Sequence, residues 1–262
     1  MKLDEVTITK AIIENFSKIF IEHTDVDVAI AGAGPAGMVA AKELAENNVK
    51  TVVFERKLSV GGGMHGGGAM MPIIVVQKEG KQILEEYKIK TTQYEPNYYC
   101  ADSIESVAKI TSGAIDAGAK IFNLISVEDV MIRGEDKRIT GFVLNWSAVE
   151  LAKLHVDPIT IRAKLVIDAT GHAAEICHIV LDKIPGATLK TSSGKILGEL
   201  PMWAEIGEKA LIENTIEVYP GLIVAGMAAN AVLGSPRMGP IFGGMLISGK
   251  QAAKVALDLL KR

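Results

Sequence analysis

The chain has 262 residues, 48% of them hydrophobic, and a formal net charge of −3 at pH 7. This length and apolar content suffice for a full hydrophobic core, whereas the scattered Lys and Arg residues form no basic stripe and argue against nucleic acid or an anionic membrane as a partner. No apolar run approaches the length of a membrane span, and acidic residues stand where a signal peptide would be basic and then apolar, so we expect a cytoplasmic protein.

The first predicted element is an amphipathic helix over about residues 4–24. Apolar residues recur there at close to helical spacing, namely Val6, Ile8, Ile12, Ile13, Phe16, Ile19 and Phe20. An apolar stripe of this kind is usually buried against another layer of the fold. We therefore expect the helix to pack on the central sheet.

The segment 26–56, VDVAIAGAGPAGMVAAKELAENNVKTVVFER, is the one around which the rest of the chain is organised. It predicts a strand, a glycine turn, a helix and a second strand. Gly32 permits the tight turn, Gly34 lets a pyrophosphate approach the backbone, and Gly37 lets the helix lie close to the strand. Glu55 ends the second strand, where an acid accepts hydrogen bonds from a ribose. The segment predicts an adenine-dinucleotide site; a glycine turn without a ligand is the alternative, and the motif does not distinguish a hydride carrier, a flavin or a substrate.

A second glycine-rich loop, SVGGGMHGGG, follows over residues 59–68. It contains too much glycine for a regular helix or strand. Two glycine triplets flank Met64 and His65, which indicates backbone wrapped around a ligand or a mobile lid. The alternative is a flexible connector without a functional role.

The remaining predicted elements alternate between helices and strands. Helices are predicted over residues 81–87, over residues 103–117 and over about residues 241–260. A further helix is predicted to follow His172 and to end at about residue 181. Strands are predicted over residues 121–127, 130–133, 139–146, 165–168 and 222–225. An antiparallel β-ribbon, over about residues 127–147, should be inserted between parallel strands, and residues 190–195 should form an exposed excursion. Because no repeat or clear boundary divides the chain, we predict a single dinucleotide-binding domain over residues 1–262.

The C-terminal part of the chain indicates the type of fold. A strand, a glycine loop and a long closing helix that return to the first strand are the layout of glutathione-reductase-type flavoproteins. We therefore expect an α/β protein with a Rossmann-type dinucleotide-binding fold, a mostly parallel central sheet and the inserted β-ribbon. In many such flavoproteins the last strand ends in Gly-Asp, whose acid helps to hold the ribityl-phosphate region. Gly226-Met227 stands here instead, which weakens a flavin interpretation.

Three polar residues are candidates for a metal site. Asp157 precedes a proline, which favours extended backbone, and in an extended chain His155 and Asp157 project to the same face. His172 follows a buried strand, at the end where open α/β sheets place their ligands. Two histidines and a carboxylate suit a non-haem Fe(II) with open coordination positions, and zinc would also accept them. Alternatively, each histidine satisfies a backbone carbonyl group.

Arg237 is the only cation in the apolar loop GSPRMGPIFGGM over residues 234–245. An isolated guanidinium in such a loop is a candidate clamp for a small carboxylate. A solvated surface arginine is the alternative.

Several motifs together resemble those of a known family. They are VAIAGAGPAG, ER followed four residues later by GGG, LHVDPITI, DATGH, VAGMAANAV and RMGPIFGGM. The chain resembles the thiamine thiazole synthase family over nearly its whole length, specifically the archaeal, sulfide-using branch. The resemblance implies that NAD is consumed as a substrate: nicotinamide is released, the ribose is opened to a ketone and condensed with glycine, and sulfur is added to give an adenylated thiazole carboxylate.

The resemblance also implies roles for individual residues. Asp157 and His172 are expected to hold Fe(II), His155 to border the NAD and sulfur site, and Arg237 to bind the glycine carboxylate. Catalysis is thus expected at His155, Asp157 and His172. The positions expected to contact the dinucleotide are Ala36, Glu55, Arg56, Gly63, Val127, His155 and Met227, beside Gly32, Gly34 and Gly37 of the turn. Because the family forms octamers with sites shared between neighbouring subunits, we expect a homo-octamer.

His155 decides the expected sulfur source. The eukaryotic branch has at this position a cysteine that gives up its own sulfur, whereas this chain has histidine. It therefore resembles the branch that takes free sulfide, uses Fe(II) and turns over many times. The residues leave open whether His155 or His172 is the general base, and what His65 does where relatives have a bulky aromatic residue nearby.

Two other function classes remain as alternatives. A flavin-dependent oxidoreductase is indicated by the GAGPAG turn and the closing strand and helix. A non-catalytic nucleotide-binding or sensor protein would keep the fold without the chemistry. The two cysteines, Cys100 and Cys177, are too few for a disulfide framework and are not spaced as C-x-x-C, which counts against a dithiol oxidoreductase.

Overall fold

A computed structural model of the chain describes residues 3–261. Its α-helices are α1 (Glu5–Glu22), α2 (Pro35–Glu46), α3 (Lys78–Glu86), α4 (Ser103–Asp116), α5 (Ser147–Leu151), α6 (Glu175–Lys183), α7 (Ala204–Asn214), α8 (Met227–Leu233) and α9 (Gly243–Leu260). Its strands are β1 (Asp25–Ala31), β2 (Thr51–Glu55), β3 (Ile73–Val76), β4 (Thr92–Glu95), β5 (Tyr98–Asp102), β6 (Lys120–Asn123), β7 (Ile125–Arg133), β8 (Arg138–Trp146), β9 (Ile159–Asp168), β10 (Glu217–Tyr219) and β11 (Leu222–Val224). Short 3-10 turns lie at Gly62–Gly66 and Gly171–Ala173.

Eight of these strands form one central sheet. The order β6-β2-β1-β9-β11 is parallel throughout, and β10 pairs antiparallel with β11. Strands β7 and β8 form an antiparallel ribbon, and β8 also pairs antiparallel with the N-terminal part of β9. The predicted α/β class, the mostly parallel sheet and the inserted ribbon are confirmed.

Strands β2 and β11 and the C-terminal parts of β1 and β9 are buried on both faces, which explains their continuous apolar sequences. In β1, Val28 and Ile30 join a core cluster with helices α2, α4 and α9. Ala29 and Ala31, which alternate with them, join a second cluster with α6, α8 and the ribbon strand β8. The sheet is therefore the middle layer of a three-layer fold.

Two predicted strand boundaries are wrong. The strand predicted over residues 121–127 is two strands, β6 and β7, separated at Leu124. That residue has φ of +57°, a left-handed conformation that interrupts a strand. The strand predicted over residues 165–168 is the C-terminal part of the longer β9, whose first half is exposed at alternate residues and lacks the continuous apolar signal.

Several elements have no sequence prediction. Strands β3, β5 and β4 form a separate antiparallel sheet. Strand β4 is exposed along its whole length, so it carries no alternation of apolar and polar residues. Helices α7 and α8 and strand β10 were also not predicted; α8 has seven residues and β10 three.

Helix α1 packs on the sheet through one end only. Asp4 caps it by accepting the N–H of Thr7 at 2.8 Å. Near its other end Phe20 lies with its ring 5.2 Å from that of Phe122 on β6, and Phe16 lies 6.1 Å from the same ring. No residue of α1 is buried, and Ile12 and Ile13 are exposed. The expected packing on the sheet is therefore confined to the aromatic end. Over residues 3–261, none of the helices has both the length and the apolar character needed to cross a bilayer.

Candidate dinucleotide-binding site

The glycine turn between β1 and α2 has a geometry that side chains would disrupt. Gly32 has φ of +101°, and a Cβ there would lie 2.4 Å from the carbonyl oxygen of Ala169. A Cβ on Gly37 would lie 2.1 Å from the carbonyl oxygen of Gly32. Gly34 differs, because a Cβ there would meet nothing within 4 Å. Gly32 and Gly37 thus serve the packing of the turn, whereas Gly34 borders open space at the N-terminus of α2, where an anionic ligand is favoured.

Glu55, at the end of β2, supports the same turn. Its Oε2 accepts the N–H of Ala33 at 2.9 Å and its Oε1 accepts the N–H of Lys57 at 2.9 Å. The residue is only 7% exposed. Each carboxylate oxygen has a second acceptor position, so Glu55 can hold the turn and still accept hydrogen bonds from a ribose.

A cavity of about 1090 Å³ lies at the carboxyl ends of β1, β2 and β9. This is the end of an open parallel sheet at which ligands bind. The volume slightly exceeds the usual range for small-molecule sites, roughly 300–1,000 Å³. The predicted site residues that line it are Gly32, Gly34, Ala36, Glu55, Arg56, Gly63, Val127, His172, Met227 and Arg237.

The second glycine loop forms part of the cavity wall. The N–H of Gly61 donates to the carbonyl oxygen of Ala33 at 2.8 Å, which ties the loop to the first glycine turn. Met64 is fully buried, whereas His65 is exposed. The hydroxyl of Ser103 donates to the carbonyl oxygen of His65 at 3.1 Å. These contacts hold the loop in place beside the cavity, which argues against a flexible connector.

Asp168, the last residue of β9, organises the segment that carries His172. Its side chain is fully buried, and it accepts the N–H groups of Thr170, Ile176 and Cys177 at 3.0–3.1 Å and the hydroxyl of Thr170 at 2.7 Å. Burial raises the pKa of Asp168, and these hydrogen bonds oppose the increase. Asp168 thereby fixes both the turn after β9 and the start of α6.

His172 and Arg237 meet at the rim of the cavity through Glu199, which the sequence did not single out. His172 Nδ1 lies 2.6 Å from Glu199 Oε1, and Arg237 Nε lies 3.8 Å from Glu199 Oε2. Glu199 is 27 residues from His172 along the chain. It belongs to no helix or strand, so no periodicity marks it.

Helix α6 contributes further polar groups that the sequence analysis missed. Glu175 and His178 both line the cavity. Glu175 Oε1 accepts a hydrogen bond from Arg56 Nη1 at 2.5 Å. Burial raises the pKa of Glu175, and the charge of Arg56 opposes that increase. The signal was present in the sequence, because residues three apart on a helix lie on one face.

His155 and Asp157 do not border this cavity. Residues 154–158 have no regular structure and are exposed, as are all residues from 151 to 160. The amide of Asn145 donates to the carbonyl oxygen of Val156 at 3.0 Å and holds this loop beside β8. Over residues 3–261, no group of three or more His, Cys, Asp or Glu side chains has an arrangement that could hold a metal. The expected convergence of His155, Asp157 and His172 therefore does not occur within one chain. His172 lines the cavity, whereas the loop that carries His155 and Asp157 lies beside β8 and does not border it.

The fold and the cavity define a Rossmann-type dinucleotide-binding α/β protein. The sequence model described as the Thi4 family matches residues 9–242. The chain belongs to the Thi4 family, and the resemblance to thiamine thiazole synthases is confirmed.

Relatives and a solved structure match over the full length. A thiamine thiazole synthase of Methanococcoides burtonii is 60% identical over 260 residues, covering 99% of this chain and 100% of that protein. One of Pyrococcus horikoshii is 51% identical, covering 99% of each chain. The crystal structure of Thermovibrio ammonificans THI4 is 44% identical and covers all of both chains with a TM-score of 0.95. The expectation of an enzyme of this family is confirmed.

A more distant structure shares the fold alone. A geranylgeranyl bacteriochlorophyll reductase-like protein of Thermoplasma acidophilum is 15% identical, with a TM-score of 0.57 over 90% of this chain and 79% of the other. The fold of this chain is thus shared with a protein of a different name at low sequence identity. The fold by itself does not identify the reaction.

Proposed function

We propose that this member of the Thi4 family converts NAD, glycine and free sulfide to an adenylated thiazole carboxylate, releases nicotinamide and requires Fe(II). The observation that carries the proposal is one cavity bordered by the GAGPAG turn, by Glu55 and by the rim residues His172 and Arg237. The turn and Glu55 suit an adenine dinucleotide, and the rim suits a second, anionic reactant. The remaining steps are proposed from the resemblance to thiamine thiazole synthases, which the family membership supports at the level of the enzyme class.

The dinucleotide is proposed to bind along the carboxyl ends of β1 and β2. Gly34 leaves open space at the start of α2, where backbone N–H groups and the helix dipole favour a pyrophosphate. Glu55 accepts ribose hydroxyls, and Arg56, held by Glu175, supplies a cation beside them. Met227 follows Gly226 at the start of α8 and supplies an apolar contact in place of the acid found in many related flavoproteins.

Arg237 is proposed to bind the carboxylate of glycine. It lines the cavity, and its side chain is about half exposed. A guanidinium pairs with a carboxylate through two parallel hydrogen bonds, which fixes the orientation of the amino group. Glycine would thereby be held beside the opened ribose, and the condensation becomes intramolecular.

Asp157 and His172 are proposed as the residues that hold Fe(II), with Asp157 supplied by a neighbouring subunit. His172 suits this role because Glu199 engages its Nδ1 and leaves Nε2 available. Asp157 stands on a fully exposed loop beside exposed Leu154 and Val156, as expected for a segment that a second subunit covers. Imidazole and carboxylate are ligands that Fe(II) accepts, and the bound metal would hold sulfide and polarise the substrate.

The subunit arrangement is proposed to be a cytoplasmic homo-octamer with shared sites. His155 lies on the same exposed loop as Asp157, and it would border the NAD and sulfide of the neighbouring site. His155 and His172 are the imidazoles proposed for moving protons along the ribose carbons. Because position 155 is histidine, the sulfur is proposed to come from free sulfide.

Anaerobic turnover by the intact protein and two variants tests the proposal. Wild type with NAD, glycine, sulfide and Fe(II) should release nicotinamide and form the adenylated thiazole. His155→Ala and Asp157→Asn should lose the product while their circular dichroism and oligomer size stay those of wild type. Unchanged NAD with the wild type refutes the proposed reaction, and full activity of both variants refutes the proposed roles of the loop. A yellow protein with bound flavin would favour the oxidoreductase alternative.

A further inference from the structure

Glu199 is a partly buried carboxylate whose two oxygens face two different site residues. Its side chain is 16% exposed, whereas those of His172 and Arg237 are 52% and 54% exposed. Oε1 lies 2.6 Å from His172 Nδ1, and Oε2 lies 3.8 Å from Arg237 Nε. The least exposed of the three side chains therefore stands between the two that face the cavity.

The backbone around Glu199 is fixed on both sides. The N–H of Gly198 donates to the carbonyl oxygen of Ala231 at 3.0 Å, and the N–H of Leu200 donates to that of Ser235 at 3.2 Å. The N–H of Arg237 in turn donates to the carbonyl oxygen of Leu200 at 3.1 Å. One short bridge between the two segments thus sets the positions of Glu199 and Arg237 together.

These contacts determine which atoms remain for ligands. An ionised carboxylate only accepts hydrogen bonds, so His172 donates through Nδ1 and keeps Nε2 as its free nitrogen. Arg237 faces Glu199 with Nε, and its terminal nitrogens remain for a bidentate contact with a substrate carboxylate. The same carboxylate therefore orients a metal-binding imidazole and a substrate-binding guanidinium.

We propose that Glu199 is a positioning residue that couples the metal site at His172 to the carboxylate-binding site at Arg237. This inference rests on the proposed function and adds a residue to it. The role requires a carboxylate: an amide has one acceptor oxygen, so glutamine satisfies one of the two neighbours and turns its NH₂ group towards the other. Glutamine would therefore disturb both sites without a change in side-chain volume.

The test compares Glu199→Gln, Glu199→Asp and the matched control Glu205→Gln in the full-length oligomer. Glu205 is an exposed carboxylate on α7 that pairs only with Lys209 among the described residues. Fe(II) affinity is measured by anaerobic chelator competition, which needs no turnover, and KM is measured separately for glycine and for NAD. Glu199→Gln should weaken Fe(II) binding by about 10–100-fold, the usual effect of losing a hydrogen-bonding partner of a metal ligand. It should also raise the KM for glycine about tenfold and leave the KM for NAD within twofold.

The other two variants and the pattern of losses in Glu199→Gln decide whether Glu199 acts as a positioning residue. Glu199→Asp, which keeps both acceptor oxygens, should recover part of the Fe(II) affinity, and Glu205→Gln should match wild type. Wild-type Fe(II) affinity and glycine KM in Glu199→Gln overturn the inference, as does an equal loss for glycine, NAD and thermal stability, which is the pattern of a merely structural residue. If wild type forms no thiazole, the proposed function fails, while the chelator competition still decides whether Glu199 supports metal binding at His172.

Discussion

The carboxylate of Glu55 and the backbone N–H of Ala33 are joined by a 2.9 Å hydrogen bond across the ends of two neighbouring parallel strands. The acid at the end of β2 therefore supports the glycine turn after β1 before any ligand binds. A dinucleotide bound there would meet a turn and an acid whose geometry is already set, which lowers the cost of ordering the site on binding.

Replacing Glu55 by glutamine should weaken both the turn and the binding of NAD. Glutamine has one acceptor oxygen, so one of the N–H groups of Ala33 and Lys57 faces an NH₂ group instead of an acceptor. Ala33 is fully buried, so leaving its N–H unsatisfied costs about 1–3 kcal/mol of folding free energy. Chemical denaturation and NAD titration measure the two effects. The control is Glu46→Gln, which changes an exposed acid at the C-terminal end of α2. Equal stability and equal NAD affinity of the two variants would contradict the role of Glu55.

Alanine should lower folding stability at Gly37 but leave it nearly unchanged at Gly34. At Gly37 the new Cβ lies 2.1 Å from the carbonyl oxygen of Gly32, so α2 must shift, and we expect a loss of about 2 kcal/mol or more in folding stability. At Gly34 the Cβ enters open space at a φ of −77°, which alanine adopts freely. Stability should therefore be unchanged within about 0.5 kcal/mol or slightly improved.

The binding assay separates the two glycines further. If the pyrophosphate lies against Gly34, the added methyl group should weaken NAD binding by about tenfold, or 1.4 kcal/mol. Isothermal titration of NAD into Gly34→Ala measures this. Wild-type affinity in a stable Gly34→Ala protein would mean that the dinucleotide does not pass over this turn.

Glu208 should make stability depend on pH. Its carboxylate on α7 is 8% exposed and accepts the N–H of Gly244 at 2.7 Å, at the start of α9. Burial raises the pKa of Glu208 to about 7 from an ordinary 4.5. Between these values the folded protein binds the proton and the unfolded chain does not, so the stability that Glu208 contributes falls as the pH rises from 4.5 towards 7.

The glutamine variant isolates this contribution. Between about pH 5 and pH 8, wild type should lose stability relative to Glu208→Gln. The difference between their free energies of unfolding should change by an amount on the order of 3 kcal/mol. The two proteins are compared at one protein concentration, because subunit association also contributes to stability. A difference that is the same at every pH would show that Glu208 ionises in its ordinary range.

Mixed oligomers test whether sites are shared between subunits. Asp157→Ala and His172→Ala should each be inactive alone. If each site takes Asp157 from one subunit and His172 from its neighbour, oligomers assembled from both variants contain some sites with both residues intact. Co-expression should therefore restore thiazole formation. Mixed oligomers as inactive as the single variants would place both residues in the same subunit's site.

The fold could be predicted where the signals are local. The segment from β1 to β2 combines apolar strands with glycines at fixed positions, and Gly32 and Gly37 each have a steric reason in the turn itself or in the adjoining turn after β9. The β-ribbon was predictable because turn residues separate two apolar runs. The small sheet of β3, β4 and β5 was not, since β4 is wholly exposed and β3 has four residues.

The candidate site was predictable residue by residue but not as an arrangement. His172 and Arg237 were selected by their positions after a strand and in an apolar loop, and both line the cavity. Their contact through Glu199 depends on a bridge between two irregular segments, which no periodicity encodes. The positions of His155 and Asp157 on an exposed loop depend on tertiary context in the same way.

The most direct test of the account is the fate of isotopically labelled sulfide. Purified protein is incubated anaerobically with NAD, glycine, Fe(II) and the labelled sulfide, and both the nucleotide product and the intact protein are analysed by mass spectrometry. We expect several equivalents of adenylated thiazole carboxylate per subunit, carrying the label, together with released nicotinamide and a protein of unchanged mass. Unlabelled thiazole with a protein that has lost one sulfur atom, or NAD recovered intact, would contradict the account.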